Sequence, residues 1–163
     1  MDLVDVNAAD AVALRRLVDR YAMTVDAGDG EGFAELFEPD ALLQVYYGPE
    51  SAGPPTETRG RDRLAAIPGR LSGRFDRTFH FVGNHVCRVD GDGATGQTYC
   101  LAHHVNQTTM GGTDYVMVIC YDDTYRRGPD GGWRFAQRRV LTQWTETRSI
   151  NPVPPGAPAT GRE

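Results

Sequence analysis

The first part of the chain alternates hydrophobic and polar positions with the period of an α-helix. The apolar positions that recur at helical spacing are Leu14, Leu17, Val18, Tyr21 and Val25. Asn7 precedes them as a candidate N-cap, and Gly28 follows them, where a left-handed residue commonly ends a helix. The pattern predicts a first helix between Asn7 and Gly28.

Shorter elements are expected between this helix and residue 71. In chain order they are a second helix that begins at Asp29 and ends before Pro39, a strand at Leu42–Tyr47, a polar loop at Gly48–Arg59 and a third helix at Arg61–Leu71. The second helix is expected to bury Phe33, Leu36 and Phe37. The third places Leu64, Ile67 and Leu71 on one face.

From Thr78 onwards the hydrophobic period changes from that of a helix to that of a strand. Four long runs alternate, separated by glycine-containing turns: Thr78–Val89, Ala94–Gln107, Thr113–Arg126 and Trp133–Trp144. Long strands joined by tight turns are typical of an antiparallel meander. Helices followed by a meander predict an α+β fold with the helices packed on one face of the sheet.

Composition narrows the class of protein. The chain has 163 residues, 40% hydrophobic and 24% charged, which fits one domain over residues 1–150 and a Pro-rich tail over 151–163. No apolar run is long enough for a membrane span and no signal peptide is evident, so we expect a cytoplasmic protein. The net charge of −5, with Arg but no Lys, argues against a nucleic-acid partner and excludes Schiff-base chemistry.

His80 is the first candidate for chemistry. Strand geometry predicts that it shares a face with Val82, Asn84 and Val86. Both faces of this strand are partly apolar, so the pattern leaves open whether His80 lines a pocket or is a structural histidine bonded to a backbone carbonyl.

Tyr21 and Asp26 are the next candidates, both on the first helix. Tyr21 lies on the apolar stripe, where a buried phenol needs a hydrogen-bond partner. Asp26 lies near the helix C-terminus, where a carboxylate opposes the helix dipole. Its position indicates either a specific His or Arg partner or a solvated acid before a turn.

His103 and His104 are adjacent on one predicted strand, so their side chains point to opposite faces. The small residues Ala94, Gly96, Thr98, Cys100 and Ala102 share the parity of His104. A row of small side chains ending in an imidazole suits a hollow lined by a curved sheet, and therefore favours His104 as the pocket residue. No metal site is expected, because the His and Cys spacings of zinc sites are missing.

Several ordered segments resemble the NTF2-like, SnoaL-like protein family. They are residues 21–29, Phe33, Leu36-Phe37, Pro39-Asp40-Ala41, Arg59-Gly60-Arg61, Gly91-Asp92, Tyr121-Asp122 and Gly132-Trp133-Arg134. The resemblance implies a cystatin-like cone, in which three N-terminal helices pack on a strongly curved, mainly antiparallel sheet. Within this family, the chain is similar above all to the scytalone dehydratase branch. That branch carries an Asp at the place of Asp26 and a His in a segment like residues 80–83.

That branch implies a cofactor-independent lyase of the dehydratase type, acting on a small hydrophobic cyclic substrate of polyketide or steroid character. Asp26 and His80 would be the acid–base pair, Tyr21 a donor to a carbonyl oxygen, and His104 or a tyrosine of the Tyr46-Tyr47 pair the acid for the leaving group. Two alternatives remain: a polyketide cyclase or ketosteroid isomerase-like enzyme, and a non-catalytic binding module. The isomerase base would fall at Val45, which carries no carboxylate.

The remaining expectations concern substrate contacts and assembly. The candidate substrate-binding residues are Tyr47, Val45, Asn84, Tyr121 and Arg138. The chain does not match a Ser and an Asn of scytalone dehydratase, near whose places Ile119 and Tyr121 stand. No metal or cofactor is expected, the partner being a small molecule. The resemblance also implies a homo-oligomer, a trimer rather than a dimer.

Overall fold

The computed structural model describes residues 6–48, 53–108 and 110–151. Its first helix, α1 (Ala8–Ala27), has the predicted ends. The Asn7 side chain accepts a hydrogen bond from the backbone N–H of Asp10. Gly28 adopts φ 69°, a left-handed conformation, and its N–H closes the last turn. The predicted apolar stripe of α1 is buried.

The second helix is shorter than the sequence predicts. α2 (Gly30–Glu35) begins at the Asp29 cap but ends before Phe37, which opens strand β1 (Phe37–Tyr46). Phe37 pairs with Phe135 of the last strand, so its burial comes from the sheet and not from a helical face. The predicted loop contains a short strand, β2 (Thr56–Arg59), which pairs antiparallel with β1. Residues 49–52 of that loop lie outside the described residues.

The predicted third helix is divided in two. α3 (Arg61–Leu64) and α4 (Ala66–Arg74) meet at Ala65. Pro68 explains the break, because proline lacks the N–H that would bond the carbonyl of Leu64 and its ring clashes with that carbonyl. Leu64 is nonetheless fully buried, and Ile67 and Leu71 pack against the core.

The meander agrees with the sequence pattern. Its strands are β3 (Arg77–Asp90), β4 (Gly93–Thr108), β5 (Gly111–Arg127) and β6 (Trp133–Ile150). The last strand extends six residues beyond the predicted end, Trp144. Together with β1 and β2 they form one sheet in the order β2-β1-β6-β5-β4-β3, in which only the β1–β6 pair is parallel.

The sheet is curved, and the helices cover one of its faces. We call this covered face the inner face; it includes His80, Ala102, His104, Tyr121 and Arg138. The outer face includes Phe81, Tyr99, Leu101, Val118, Leu141 and Trp144. Of the predicted tail, residues 152–163 lie outside the described residues. Within the part of the chain that the structure describes, no helix is long and apolar enough to cross a membrane.

Candidate active site

A carboxylate and an imidazole meet where the end of α1 packs on β3. The Asp26 Oδ1 atom lies 2.7 Å from Nδ1 of His80, and the Oδ2 atom accepts a hydrogen bond of 2.8 Å from the His80 backbone N–H. Thr78 Oγ1 donates a further hydrogen bond of 2.8 Å to Oδ1. The side chain of His80 is 7% exposed and that of Asp26 is 22% exposed. This half-buried Asp–His pair is hereafter the dyad.

The electrostatic state of Asp26 follows from these contacts. Burial by itself would raise the pKa of the carboxyl group, but the hydrogen bonds and charge interaction with His80, together with the bond from Thr78, outweigh it. The pKa of Asp26 therefore lies below its ordinary value, and the group is a carboxylate at neutral pH.

A carboxylate partner fixes the tautomer of a neutral histidine. Because an ionised Asp26 can only accept hydrogen bonds, Nδ1 of His80 carries the proton that lies between them. The lone pair of the neutral ring is then on Nε2. An imidazole held in this way can take a proton through Nε2 while its other nitrogen remains bonded to the carboxylate.

A second imidazole lies against the first. The rings of His104 and His80 are 5.7 Å apart at an interplanar angle of 81°, and Phe75 and Tyr115 flank His104 at 4.8 and 5.9 Å. Nδ1 of His104 lies 3.2 Å from the carbonyl oxygen of Tyr115, to which it donates in the neutral ring. Burial first, and then the charge of His80, lower the pKa of His104, so it is neutral at pH 7.

Small side chains line the inner face beside these rings, as the parity of β4 predicts. Four of them are buried and lie along β4 on the same face as His104: Gly96, Thr98, Cys100 and Ala102. His103 lies on the outer face, where its Nδ1 is 2.8 Å from Asp114 Oδ2. The alternation of the strand thus separates the two adjacent histidines.

Arg138 forms a fully buried ion pair on the inner face. Its Nε and Nη2 atoms donate to the two oxygens of Asp123 at 2.8 and 2.7 Å, and both side chains are 0% exposed. The guanidinium lies over the rings of Tyr21 and Tyr121, 4.0 and 4.1 Å from their centroids. Nη1 is buried and has no hydrogen-bond partner among the described residues.

Tyr21 and Tyr121 belong to the core beside this ion pair. Tyr21 is 6% exposed, and its ring contacts Phe33, Phe37, Tyr121 and Phe135. Burial raises the pKa of Tyr21 to about 12 and raises that of Tyr121 as well, so both are protonated phenols. Their described ring contacts are with the core and Arg138, and not with the dyad.

The structure corrects the predicted face of Asn84. The register of β3 against β4 shifts between Val82 and His85, which marks a β-bulge. A bulge adds one residue and reverses the parity of the strand beyond it. Asn84 is consequently turned outward and lines a cavity on the outer face, whereas His85 turns inward, with Nε2 3.4 Å from the Tyr125 hydroxyl.

Two further candidates, Val45 and Tyr47, lie on β1 and just after it. Val45 is half-buried, packs against the core and pairs with Val140 of β6. Tyr47 follows the end of β1 and is 70% exposed.

Sequence reasoning missed three neighbours of the two histidines: Thr78, Phe75 and Tyr115. The sequence did contain a signal for Thr78, because it lies two residues before His80 on the same strand and therefore on the same face. Gly83 was the available signal for the bulge, since a glycine inside a strand often marks one. Phe75 and Tyr115 are brought to His104 by tertiary packing, for which the sequence pattern offers no signal.

Potential metal ligands are scattered over the described part of the fold. Within residues 6–48, 53–108 and 110–151, no three His, Cys, Asp or Glu side chains are grouped so that they could hold a metal ion.

Comparison with known proteins identifies the family. The sequence profile of the SnoaL-like domain matches residues 6–139. The chain belongs to the SnoaL-like domain family. Its curated relatives include an uncharacterised protein of Mycobacterium tuberculosis, 27% identical over 140 residues, which span 83% of this chain and 86% of that protein.

Solved structures with this fold include proteins of dehydratase and dehydrochlorinase type. A Mycobacterium tuberculosis protein of unknown function is 25% identical, with a TM-score of 0.71 over 84% of this chain and 78% of that one. A candidate scytalone dehydratase from Novosphingobium aromaticivorans is 25% identical, with a TM-score of 0.68 over 89% and 93% of the two chains. The hexachlorocyclohexane dehydrochlorinase LinA type 2, at 19% identity, shares the fold with a TM-score of 0.72 over 91% and 95%.

Proposed function

We propose that this SnoaL-like protein is a cofactor-independent lyase that eliminates water or a similar leaving group from a small hydrophobic cyclic substrate. The observation that carries the proposal is the contact of 2.7 Å between His80 Nδ1 and the Asp26 carboxylate. Similarity to a candidate scytalone dehydratase supports the same reaction class.

In the proposed reaction, Nε2 of His80 takes a proton from the carbon beside the one that carries the leaving group, which in a β-hydroxyketone is also the carbon next to the carbonyl group. The electron pair of the broken C–H bond forms a C=C bond, and the leaving group departs from the neighbouring carbon with its bonding pair. A hydroxyl leaves as water once it receives a proton, and the protonated His80 can supply it. Asp26 stabilises the imidazolium that exists between the two transfers.

His104 has a binding role in this proposal. Its pKa is lowered and Nδ1 faces the Tyr115 carbonyl, so Nε2 offers a lone pair to a substrate hydroxyl. The sequence suggested His104 as the acid for the leaving group; a neutral ring suits an acceptor better. His80 then returns the proton that it has collected.

The apolar and small residues of the inner face support a hydrophobic substrate. In the row of β3–β6 that contains His80, its neighbours are Ala102 and Met117, and the next row contains Val82, Cys100 and Ile119. We propose that a carbonyl or phenolic oxygen of the substrate accepts hydrogen bonds further along the inner face. The donors would be the buried Nη1 of Arg138 and the phenols of Tyr21 and Tyr121.

The test is a double-mutant cycle at the dyad. The candidate substrates are cyclic β-hydroxyketones and chlorinated cyclohexanes, followed by enone absorbance and by chloride release. His80→Ala and Asp26→Asn should each lower turnover by about 10²–10⁴-fold. The double variant should be little worse than either, because the two groups act as one unit.

His103→Ala is the matched control, since His103 also has a carboxylate partner, Asp114, but lies on the outer face of the sheet. It should retain turnover, and a chelator should leave the wild-type rate unchanged. Additive losses at Asp26 and His80, or an equal loss in His103→Ala, would show that the dyad is not the general base.

We also propose that the protein is a homo-oligomer, a trimer in preference to a dimer. The outer face supports self-association, because Phe81, Leu101, Val118 and Trp144 are aligned across β3–β6. Phe81 is 58% exposed and Trp144 is 62% exposed. This row borders an outer-face cavity of about 590 Å³. Contiguous exposed apolar surface commonly marks an interface.

A further inference from the structure

The Asp26 carboxylate receives a hydrogen bond that the proposed reaction does not use. Thr78 Oγ1 donates to Oδ1 at 2.8 Å, and this is the same oxygen that faces Nδ1 of His80 at 2.7 Å. The other oxygen, Oδ2, is bonded to the His80 backbone N–H at 2.8 Å. All three donors come from residues 78–80 of β3, whereas Asp26 comes from the last turn of α1.

We propose that Thr78 is a positioning residue for the dyad. Its hydrogen bond holds the Asp26 carboxylate in the one orientation that keeps Oδ1 on Nδ1 of His80. This inference rests on the proposed function of the same site. Thr78 acts through Asp26 and is not assigned any contact with the substrate.

The geometry of a carboxylate explains why one more donor matters. An ionised oxygen accepts along two lone-pair directions, and at Oδ1 one is directed to Thr78 and the other to His80. With Oδ2 held by the backbone, rotation of the carboxylate would break hydrogen bonds on both oxygens. Removal of the threonine hydroxyl leaves Oδ1 with a single partner and allows the group to turn away from the ring.

The same hydrogen bond affects where the proton lies. A donor to the charged form of a carboxylate makes it a weaker base. Thr78 thereby helps to keep the shared proton on the imidazole, and the lone pair on Nε2. The titratable groups that interact electrostatically with Asp26 are His80, His104 and Cys100.

The experiment compares Thr78→Val, which keeps the shape and removes the donor, with Thr78→Ser, which keeps the donor. Thr95→Val is the matched control, an exposed threonine on the outer face of β4. Two signals are followed without substrate: the titration of the Asp26 carboxyl carbon and the ring nitrogens of His80, both by NMR. Turnover follows with any substrate that the dyad test has identified.

In Thr78→Val, the titration midpoint of Asp26 should move upward and the Nδ1 signal of His80 should change. Thr78→Ser and Thr95→Val should resemble the wild type. With substrate, Thr78→Val should lower kcat about tenfold, the effect of one hydrogen bond to a charged group, while KM changes little. If the valine variant does not fold, Thr78→Ala gives the same comparison.

Unchanged Asp26 and His80 spectra in Thr78→Val, with clear changes in Asp26→Asn, would overturn the role of Thr78 and leave the dyad intact. Changed spectra in Thr78→Val together with full turnover in His80→Ala would support the role of Thr78 but refute the dyad as the general base. In that case Thr78 positions Asp26, and the proposed lyase function is wrong.

Discussion

Two Asp–His contacts of almost equal length lie on opposite faces of the sheet, and their surroundings distinguish them. Among the described residues, Asp26 is bonded only to neutral donors besides the His80 ring, so the histidine is its main charge partner. Asp114, 2.8 Å from His103, also accepts two hydrogen bonds from Arg148 at 3.1 and 3.0 Å. Burial raises the pKa of Asp114, but His103 and Arg148 outweigh that effect and lower it. The guanidinium already neutralises this carboxylate, which makes the outer pair a structural ion cluster and the inner pair the stronger catalytic candidate.

Neighbouring ion pairs on β5 and β6 allow a prediction about stability. Asp123 pairs with Arg138 in full burial, and Asp122 pairs with Arg139 on the outer face, where the side chains are 38% and 27% exposed. Asp123→Asn should lower the free energy of unfolding by about 3–5 kcal/mol, because it leaves a buried guanidinium without its counter-charge. Asp122→Asn should cost about 0–1 kcal/mol. Urea denaturation measures both, and equal losses would contradict the prediction.

At the scale of elements, the start of α1 is tied to the far end of the sheet through Asp10. The carboxylate accepts hydrogen bonds from Trp133 Nε1 at 2.8 Å, from Arg127 Nη2 at 2.7 Å and from Asn7 Nδ2 at 2.8 Å. The bonds from Trp133 and Arg127 are the main reasons that the pKa of Asp10 is lowered. One side chain therefore links the helix cap to β5 and β6.

This link should appear in the pH dependence of stability. A folded-state pKa below the unfolded value gives a contribution that is complete above the unfolded value, about 3.9 for Asp, and is lost as the pH falls through the folded pKa. Asp10→Asn should therefore be less stable than wild type at pH 7, and the difference should shrink at about pH 2–3. Asp62→Asn, at an exposed position, is the control. A difference that persists unchanged at low pH would count against the ionised Asp10.

Gly28 at the end of α1 and Gly69 inside α4 predict opposite effects of the same substitution. Gly28 ends α1 at φ 69°, a conformation that L side chains rarely adopt. Gly28→Ala should lower the free energy of unfolding by about 1–2 kcal/mol. Gly69 lies inside α4, and no atom lies within 4 Å of the place that an added Cβ would take. Gly69→Ala should raise stability by about 0.4–1 kcal/mol, because alanine restricts the unfolded chain. Thermal unfolding of the two variants tests the signs.

At the scale of the whole molecule, the helices cover only one face of the sheet. The outer face keeps Phe79, Phe81, Tyr99, Leu101 and Trp144 exposed to between 41% and 62%. Such a surface is costly in water unless another surface covers it. This asymmetry is the physical ground for the proposed oligomer.

Multi-angle light scattering tests the assembly. A trimer should have three times the chain mass of 17.9 kDa at micromolar concentration. Trp144→Glu should shift the mass toward the monomer, because it places a charge in the apolar row of the outer face. Thr95→Glu is the control, since Thr95 is also exposed but lies near the start of β4, outside the apolar row that contains Leu101. A wild-type monomer would refute the oligomer, and a Trp144→Glu variant of unchanged mass would exclude this part of the outer face.

The sequence by itself determined those features that depend on neighbouring residues. The caps at Asn7, Asp29 and Gly28 are local hydrogen-bonding and backbone effects, and the change of period at residue 78 separates helices from the meander. The row of small residues on β4 indicated on which face His104 lies. These features are local because each depends on residues a few positions apart.

Only the tertiary structure decided the rest. The bulge between Val82 and His85, whose carbonyls at Val82 and Gly83 accept hydrogen bonds from Arg15 of α1, turns Asn84 outward and His85 inward. The contacts of Asp26 with Thr78 and of Arg138 with Asp123 join residues 52 and 15 positions apart. Strand periodicity fixes which residues share a face only while the register is unbroken. Which helix end lies on which strand depends on how the whole core packs, and no local pattern encodes it.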